Sequence, residues 1–254
     1  MSAVPYSMHF APEGELLESA RECEAEVFLR WYGNTREQLV EEYGPYDDAS
    51  AFLAIADQGG DVVGAVRLLA PGGRAGLKTL TDVAAPPWSV PGARVASAAG
   101  LDLGSTWEIA TLGVRRQDRA DGLRLSLALY HGLIAVCRAN GMSSFVAVLD
   151  ERVRRLLHSV GLLTQVLPGT STAPYLGSAA STPVFARCAP VLDNQRQQFP
   201  DAYRLVTLGV GLDGVTVPPA EAFRLHDRLR APDDLSTTSL AAVPSDLALL
   251  TERV

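Results

Sequence analysis

The sequence predicts an α/β (α+β) fold, a mixed central sheet flanked by helices with a C-terminal appendage, and three stretches predict it. Residues 51–70, AFLAIADQGGDVVGAVRLLA, are two β-rich runs about a Gly-Gly turn, the pattern of a hairpin. Residues 106–114, TWEIATLGV, read as a strand that passes through a charged loop at 115–121 into a long apolar helix reaching about Asn140. Residues 143–150, SSFVAVLD, are a short apolar run suited to an inner strand, and 151–161 follow as a helix closed by glycine.

The remaining elements are read in chain order. Within 13–43, Leu16, Ala20, Cys23, Val27 and Trp31 recur at steps of four or three, a helical stripe that Gly33 ends. Residues 71–104 are rich in Gly, Pro and Ala and are read as an irregular excursion. The long helix carries Leu123, Leu127, Tyr130, Ile134 and Cys137 on one face. Leu125, Leu129, Leu133 and Val136 make the other side apolar too, so it should be largely buried, with Gly141 as its cap. The small-residue stretch 168–183 is read as a loop before a strand at 184–189. Past Pro190 the pattern changes: 202–218 alternate like a hairpin, 220–229 suit a short helix, and 231–254 read as a frayed end. Residues 1–189 are therefore expected to form the core domain and 190–254 the appendage.

Composition narrows the function classes. With 254 residues, 47% hydrophobic and 20% charged, the chain is an ordinary globular protein. Its net charge of −7 argues against a duplex nucleic acid partner, because that affinity comes from neutralising phosphates. The longest apolar run, 125–137, is interrupted by His131 and is shorter than the ~20 residues that span a bilayer, so no membrane span is expected. The first twenty residues lack a basic segment followed by an apolar one, and three cysteines without a CxxC pattern suit a reducing cytosol. A cytoplasmic protein with no secretory signal and no disulfide scaffold is expected. His9, His131, His158 and His226 lack ligand spacing and no Gly-x-Ser-x-Gly occurs, so neither a metal site nor covalent hydrolysis is expected.

A loop that opens a helix points several unpaired N–H groups outward, a natural seat for phosphate, and this one carries Arg115, Arg116, Arg119 and Arg124. The competing reading is a solvated charged turn in which Asp118 and Asp121 offset two of the arginines. Arg67, in an otherwise apolar strand, must find a partner, and Asp47 is the expected one. Arg152, Arg154 and Arg155 add a basic neighbourhood that suits either an acidic carrier protein or a solvated helix face.

The order helix, hairpin, strand, charged loop, buried helix, strand, helix, strand resembles that of the GNAT acyltransferases. With EVFLRW (26–31), YDDASAFLAIADQGGDVVGAVRLL (46–69), WEIATLGV (107–114) and FVAVLDERVRRLLHSVGL (145–162), the chain looks most like their autoinducer-synthase and long-chain N-acyl-amino-acid-synthase branch. The resemblance implies acyl transfer from acyl-CoA, or from an acyl-phosphopantetheine on an acyl carrier protein, to a small-molecule amine such as an amino acid. No tightly bound cofactor is implied. The pantetheine arm would lie beside the strand ending near Val114, with a backbone N–H polarising the thioester. The phosphates would take Gly113, Val114, Arg115, Arg116, Arg119, Ala120, Asp121, Gly122, Leu123 and Arg124. Glu108 would be the catalytic carboxylate, orienting the amine or relaying its proton through water. Trp31, Asp47 and Arg67 would hold the amine, although a tryptophan on a helical stripe also suits a core and Asp47-Asp48 also suits a turn cap.

The amine decides how much a base must do. Holding an α-amino group neutral at pH 7 costs about 1 kcal/mol, whereas a lysine costs about 4.6 kcal/mol. The pattern departs from the family's at several places. The family's Glu-x-Ser-Arg is Glu108-Ile109-Ala110-Thr111, and its upstream acidic pair is matched only in part by Glu42 and Asp47. The arginine expected a few residues before Val27-Phe28 is out of register, Arg21 lying farther upstream. Arg124 replaces a small residue of the phosphate loop, where it would crowd or bind a pyrophosphate. Leu157 stands where many members carry a tyrosine acid, which leaves His158 or a water to protonate the thiolate. These departures keep a second class open, a GNAT-like binding or regulatory protein that holds an acyl thioester without turnover. A third reading, transfer to protein amines, has no sequence feature behind it.

Overall fold

The structure, a computed structural model, describes residues 5–115 and 119–225. Arg116, the side chain of Arg119, His226 and the end read as frayed lie outside the described residues.

The chain runs β1 (Tyr6–Phe10), α1 (Gly14–Tyr32), α2 (Arg36–Tyr43), β2 (Ser50–Asp57), β3 (Val62–Leu69), α3 (Lys78–Asp82), α4 (Gly92–Ala99) and β4 (Thr106–Val114). It continues through α5 (Arg119–Ala139), β5 (Ser144–Asp150), α6 (Glu151–Ser159), β6 (Gln165–Val166), β7 (Ala173–Tyr175), β8 (Ser178–Arg187), α7 (Cys188–Gln198), α8 (Pro200–Ala202) and β9 (Val215–Thr216). The sheet order is β6-β8-β5-β4-β3-β2-β1-β9, with β7 added on β8.

Alternation along β2 shows how the layers divide. Leu53 and Ile55 face α5 and its Leu125, Leu129 and Val136, while Phe52, Ala54 and Ala56 face α1 and its Ala20 and Cys23. Helix α1 stops where Gly33 takes a left-handed φ of 75°, and α2 starts with a reciprocal cap between Thr35 and Gln38. At Gly113 α1 lies directly on β4: a Cβ there would stand 2.5 Å from Val27 Cγ1, so only glycine permits the contact.

Strands β4 and β5 run parallel, yet only residues 106–108 and 144–146 pair. Beyond Glu108 each strand stays with its outer neighbour, β4 on β3 and β5 on β8, and the two part. Ala110 is an extra residue in β4, between Ile109 opposite Leu68 and Thr111 opposite Arg67, and such a bulge bends the strand that carries it. The fork between β4 and β5 is the feature that positions the site.

Several elements differ from the sequence reading. The 71–104 excursion contains α3 and α4, helices too short, and too interrupted by Pro and Gly, to show a period. The 168–183 loop contains the β7–β8 hairpin, and β8 ends at Arg187, with α7 beginning at Cys188. Residues 203–207 coil as a π turn, and β9 joins β1 in parallel, so 202–218 form no hairpin. Of 220–229, only Ala220–Phe223 is a 3₁₀ turn among the described residues. Strand β1 and helix α7 were not anticipated. The charged loop is shorter than expected, because α5 already begins at Arg119.

The segment after α7 crosses α5 and shares its core through Leu212, Val215 and Phe223. Asn140 fastens it, donating to Phe223 O at 2.7 Å and accepting from Leu225 N at 2.8 Å. Among the described residues no helix is long and apolar enough to cross a membrane.

Candidate active site

The fork opens on an apolar cleft on the α5 face of the sheet. Ile109 and Leu112 of β4, Phe145, Ala147 and Leu149 of β5, and Tyr130 and Ile134 of α5 line it, with Leu157 of α6. Its cavity of about 90 Å³ would hold several waters by volume, yet the walls offer almost no polar partners, so it suits a hydrocarbon chain. Tyr130 is the polar exception. It is buried, its phenol makes no hydrogen bond to another described residue, and burial pushes its pKa up to about 12. The sequence placed Tyr130 on an apolar helical face and gave no sign that it borders the same cleft as Leu157.

The unpaired edge of β4 supplies backbone donors. Arg115 N donates to Val63 O at 2.8 Å on the β3 side, so by the two-residue alternation of a strand the amides of Val114 and Leu112 face the fork.

On the opposite face, α1, α2 and β3 enclose a polar pocket around Arg67. Sequence reasoning paired Arg67 with Asp47; the structure gives it Glu24 instead. Its guanidinium binds both Glu24 oxygens, Nε to Oε1 at 2.9 Å and a terminal nitrogen to Oε2 at 2.6 Å, with both side chains buried. Asp47 is an outer partner at 3.6 Å, exposed at the rim with Arg21 3.8 Å away. Thr111 Oγ1 donates to Glu24 Oε1 at 2.5 Å. Glu24 therefore stands a few residues before Val27-Phe28, where the family pattern has an arginine, and is bonded to Thr111, which replaces the other. Tyr43 stacks under Arg67, 4.8 Å from ring to guanidinium, and donates to the carbonyl of bulged Ala110.

Glu108 sits at the vertex of the fork and is only 3% exposed. It neither faces solvent nor pairs with an arginine. Thr79 N donates to one oxygen and Thr79 Oγ1 to the other, each at 2.9 Å. Burial pushes the Glu108 pKa up to about 7, against the lowering effect of those two bonds. Behind it Lys78 Nζ binds Asp82 at 2.8 Å and Glu42 at 2.6 Å, and Tyr175 donates to Asp82. Thr79 and Lys78 belong to the stretch read as irregular, which is why sequence reasoning missed them.

Trp31 does not join Asp47 and Arg67. It is 57% exposed and borders a separate open recess with Val114, Arg115 and Asp57, so the stripe that suggested burial ends before it. At the phosphate candidates, Ala120, Asp121, Gly122, Leu123 and Arg124 form the opening turns of α5. Arg115 pairs with Glu26 at 2.7 Å and Arg124 with Asp121 at 3.2 Å. The Arg124 guanidinium also lies against Gly214. His158 is committed elsewhere, its Nε2 accepting from Thr164 N at 3.0 Å. Among the described residues no cluster of three or more His, Cys, Asp or Glu could hold a metal ion.

The sequence matches no protein-family model and no curated protein. Comparison of the fold with solved structures gives relatives in shape. The N-acyl amino acid synthase FeeM, from uncultured soil microbes, is 11% identical with a TM-score of 0.56, over 76% of this chain and 96% of that one. The CoA-dependent acyl-homoserine lactone synthase BjaI, solved with SAM and isopentyl-CoA, is 20% identical with a TM-score of 0.50, over 86% of this chain and 96% of that one. The chain thus shares the fold of these two synthases, a mixed sheet flanked by helices.

Proposed function

We propose that the protein is an N-acyltransferase that moves an acyl group from a thioester to the amine of a small molecule by direct attack. One observation carries this reading. The free edge of β4 beyond Glu108 lies between an apolar cleft on one face and the charged Arg67 pocket on the other. A pantetheine arm entering the fork would add to that edge as an extra strand, with its acyl chain in the cleft and its carbonyl on the amide of Leu112 or Val114. The phosphates would meet the start of α5, with Arg115 and Arg124 as candidate cationic partners. Gly113 keeps the backbone close to α1 there.

The acceptor amine comes from the pocket face, its ammonium drawn by Asp47 and, for an amino acid, its carboxylate by Arg21. The neutral nitrogen attacks the carbonyl carbon, the C–S bond breaks, and the amine's surplus proton passes through water to Glu108. The thiolate leaves with the proton of Tyr130, which stands in for the tyrosine absent at Leu157. Trp31 would flank the arm near Val114 rather than hold the amine. Free coenzyme A and a carrier protein present the same arm, and only the second would use Arg152, Arg154 and Arg155.

The test is thiol release from a panel of acyl-CoAs and acyl carrier proteins with mixed amines, on wild type and Glu108→Gln. Release that requires an amine and collapses in the variant supports the enzyme. Tight thioester binding without release supports the binding-protein reading, to which the full engagement of both Glu108 oxygens by Thr79 lends weight.

A further inference from the structure

Two cysteines far apart in the sequence meet at one end of the apolar cleft. Cys137, in the last turn of α5, donates to the carbonyl of Met142 at 3.4 Å, and Cys188, the first residue of α7, has its amide on Ser143 O at 2.9 Å. Adjoining carbonyls of one segment thus hold the side chain of Cys137 and the backbone of Cys188, and both side chains line the same end of the cleft. Both thiols line the cleft beside Phe145, which pairs with Trp107 on the closed side of the fork, whereas Leu149 lies beyond the opening. The pair therefore flanks the deep end, where the tail of a bound chain would lie.

We propose that Cys137 and Cys188 are a peroxide-sensitive pair whose disulfide closes the deep end of the cleft. The Cys137 thiolate attacks a peroxide oxygen and becomes a sulfenic acid, and the departing hydroxide takes up the thiol proton as water. The Cys188 sulfur then attacks the sulfenic sulfur, the S–S bond forms, and a second water leaves, so two thiols and one hydrogen peroxide give one disulfide and two waters. Interaction with the Cys188 side chain lowers the Cys137 pKa, which favours Cys137 as the attacking sulfur, while the same interaction and burial raise that of Cys188. A sulfur–sulfur bond of about 2.05 Å is far shorter than a non-bonded contact, so making it pulls the ends of α5 and α7 together. Cys23, buried between α1 and the sheet with burial pushing its pKa up to about 12, is the internal control.

The disulfide stands apart from the acyltransferase reading; its effect on the cleft rests on that reading. The test exposes the reduced full-length protein to hydrogen peroxide, alkylates the remaining thiols and maps the peptides by mass. The expected result is loss of two alkylatable thiols, a linked peptide joining positions 137 and 188, reversal by dithiothreitol, and no link in Cys137→Ser or Cys188→Ser. Three alkylatable thiols after a treatment that oxidises a free thiol peptide, or a link through Cys23 or between molecules, overturns the pair. The second arm compares turnover of oxidised and reduced protein on long and short acyl donors. Exclusion of the last two methylenes is expected to lower kcat/KM for the long donor about tenfold, with the short donor spared. Equal effects on both overturn the closing of the cleft. A protein that links but turns over no donor sinks the acyltransferase reading and leaves the pair in place.

Discussion

Glu108 of β4 takes a hydrogen bond on each oxygen from one residue, Thr79, whose amide and hydroxyl both stand 2.9 Å away. A short helix in the connection before β4 thus sets the carboxylate at the vertex of the fork. Removing the hydroxyl with Thr79→Val removes a bond to the ionised form, so the Glu108 pKa rises and the acidic limb of kcat/KM moves up by about one pH unit. Thr79→Ser keeps the limb in place. A fall in activity with an unmoved limb would show that Thr79 only supports the fold.

The same carboxylate ties stability to pH. Folded Glu108 holds its proton up to about pH 7, against an ordinary value of 4.5. Between those values the folded chain binds more protons than the unfolded one, so this group makes stability fall as pH rises through the window. Glu108→Gln removes that fall and is expected to gain about 3 kcal/mol on wild type between pH 5 and 8. Urea unfolding at the two pH values checks it; parallel pH dependences in both proteins would rule it out.

The buried pair of Arg67 and Glu24 should behave as a unit. Glu24→Leu or Arg67→Leu alone leaves an uncompensated buried charge and is expected to cost about 3–5 kcal/mol, whereas the double replacement costs much less than the sum. A double-mutant cycle by urea denaturation measures the coupling, and strict additivity would mean the charges do not depend on each other.

Tyr130 is assigned the proton for the departing thiolate. Tyr130→Phe keeps the ring in the cleft and should lower kcat about a hundredfold with little change in KM for the donor. An activated thioester whose thiol is strongly acidic needs no such proton, so the variant should recover on it. An equal loss on both donors would make Tyr130 a packing residue.

The parts visible in the sequence are those with a strong local period. The hairpin β2–β3, the strand β4, the long α5 and the β5–α6 unit alternate or repeat clearly enough to place within a few residues. What local pattern cannot show is which distant groups meet. A charge in an apolar strand needs a partner and the sequence offers Asp47 to Arg67, but the bidentate partner Glu24 comes from α1, which packs on the sheet. Thr79 lies on a five-residue helix flanked by glycine and proline, with no periodic signal. Trp31 continues a helical stripe, and periodicity does not report that Trp31 itself is left 57% exposed among the described residues. Cys137 and Cys188 meet only because α5 and α7 pack at the same end of β5.

The central claim is that the fork between β4 and β5 receives an acylated pantetheine arm. A crystal structure with a hydrolysis-resistant 2-oxoalkyl-CoA, a ketone analogue that keeps the carbonyl and has a methylene between it and the sulfur, tests it most directly. The expected result is the arm along the free edge of β4, a carbonyl on the amide of Leu112 or Val114, and the chain between Ile109 and Leu149. An analogue bound elsewhere, or a fork closed by pairing of 109–114 with 147–150, would contradict it.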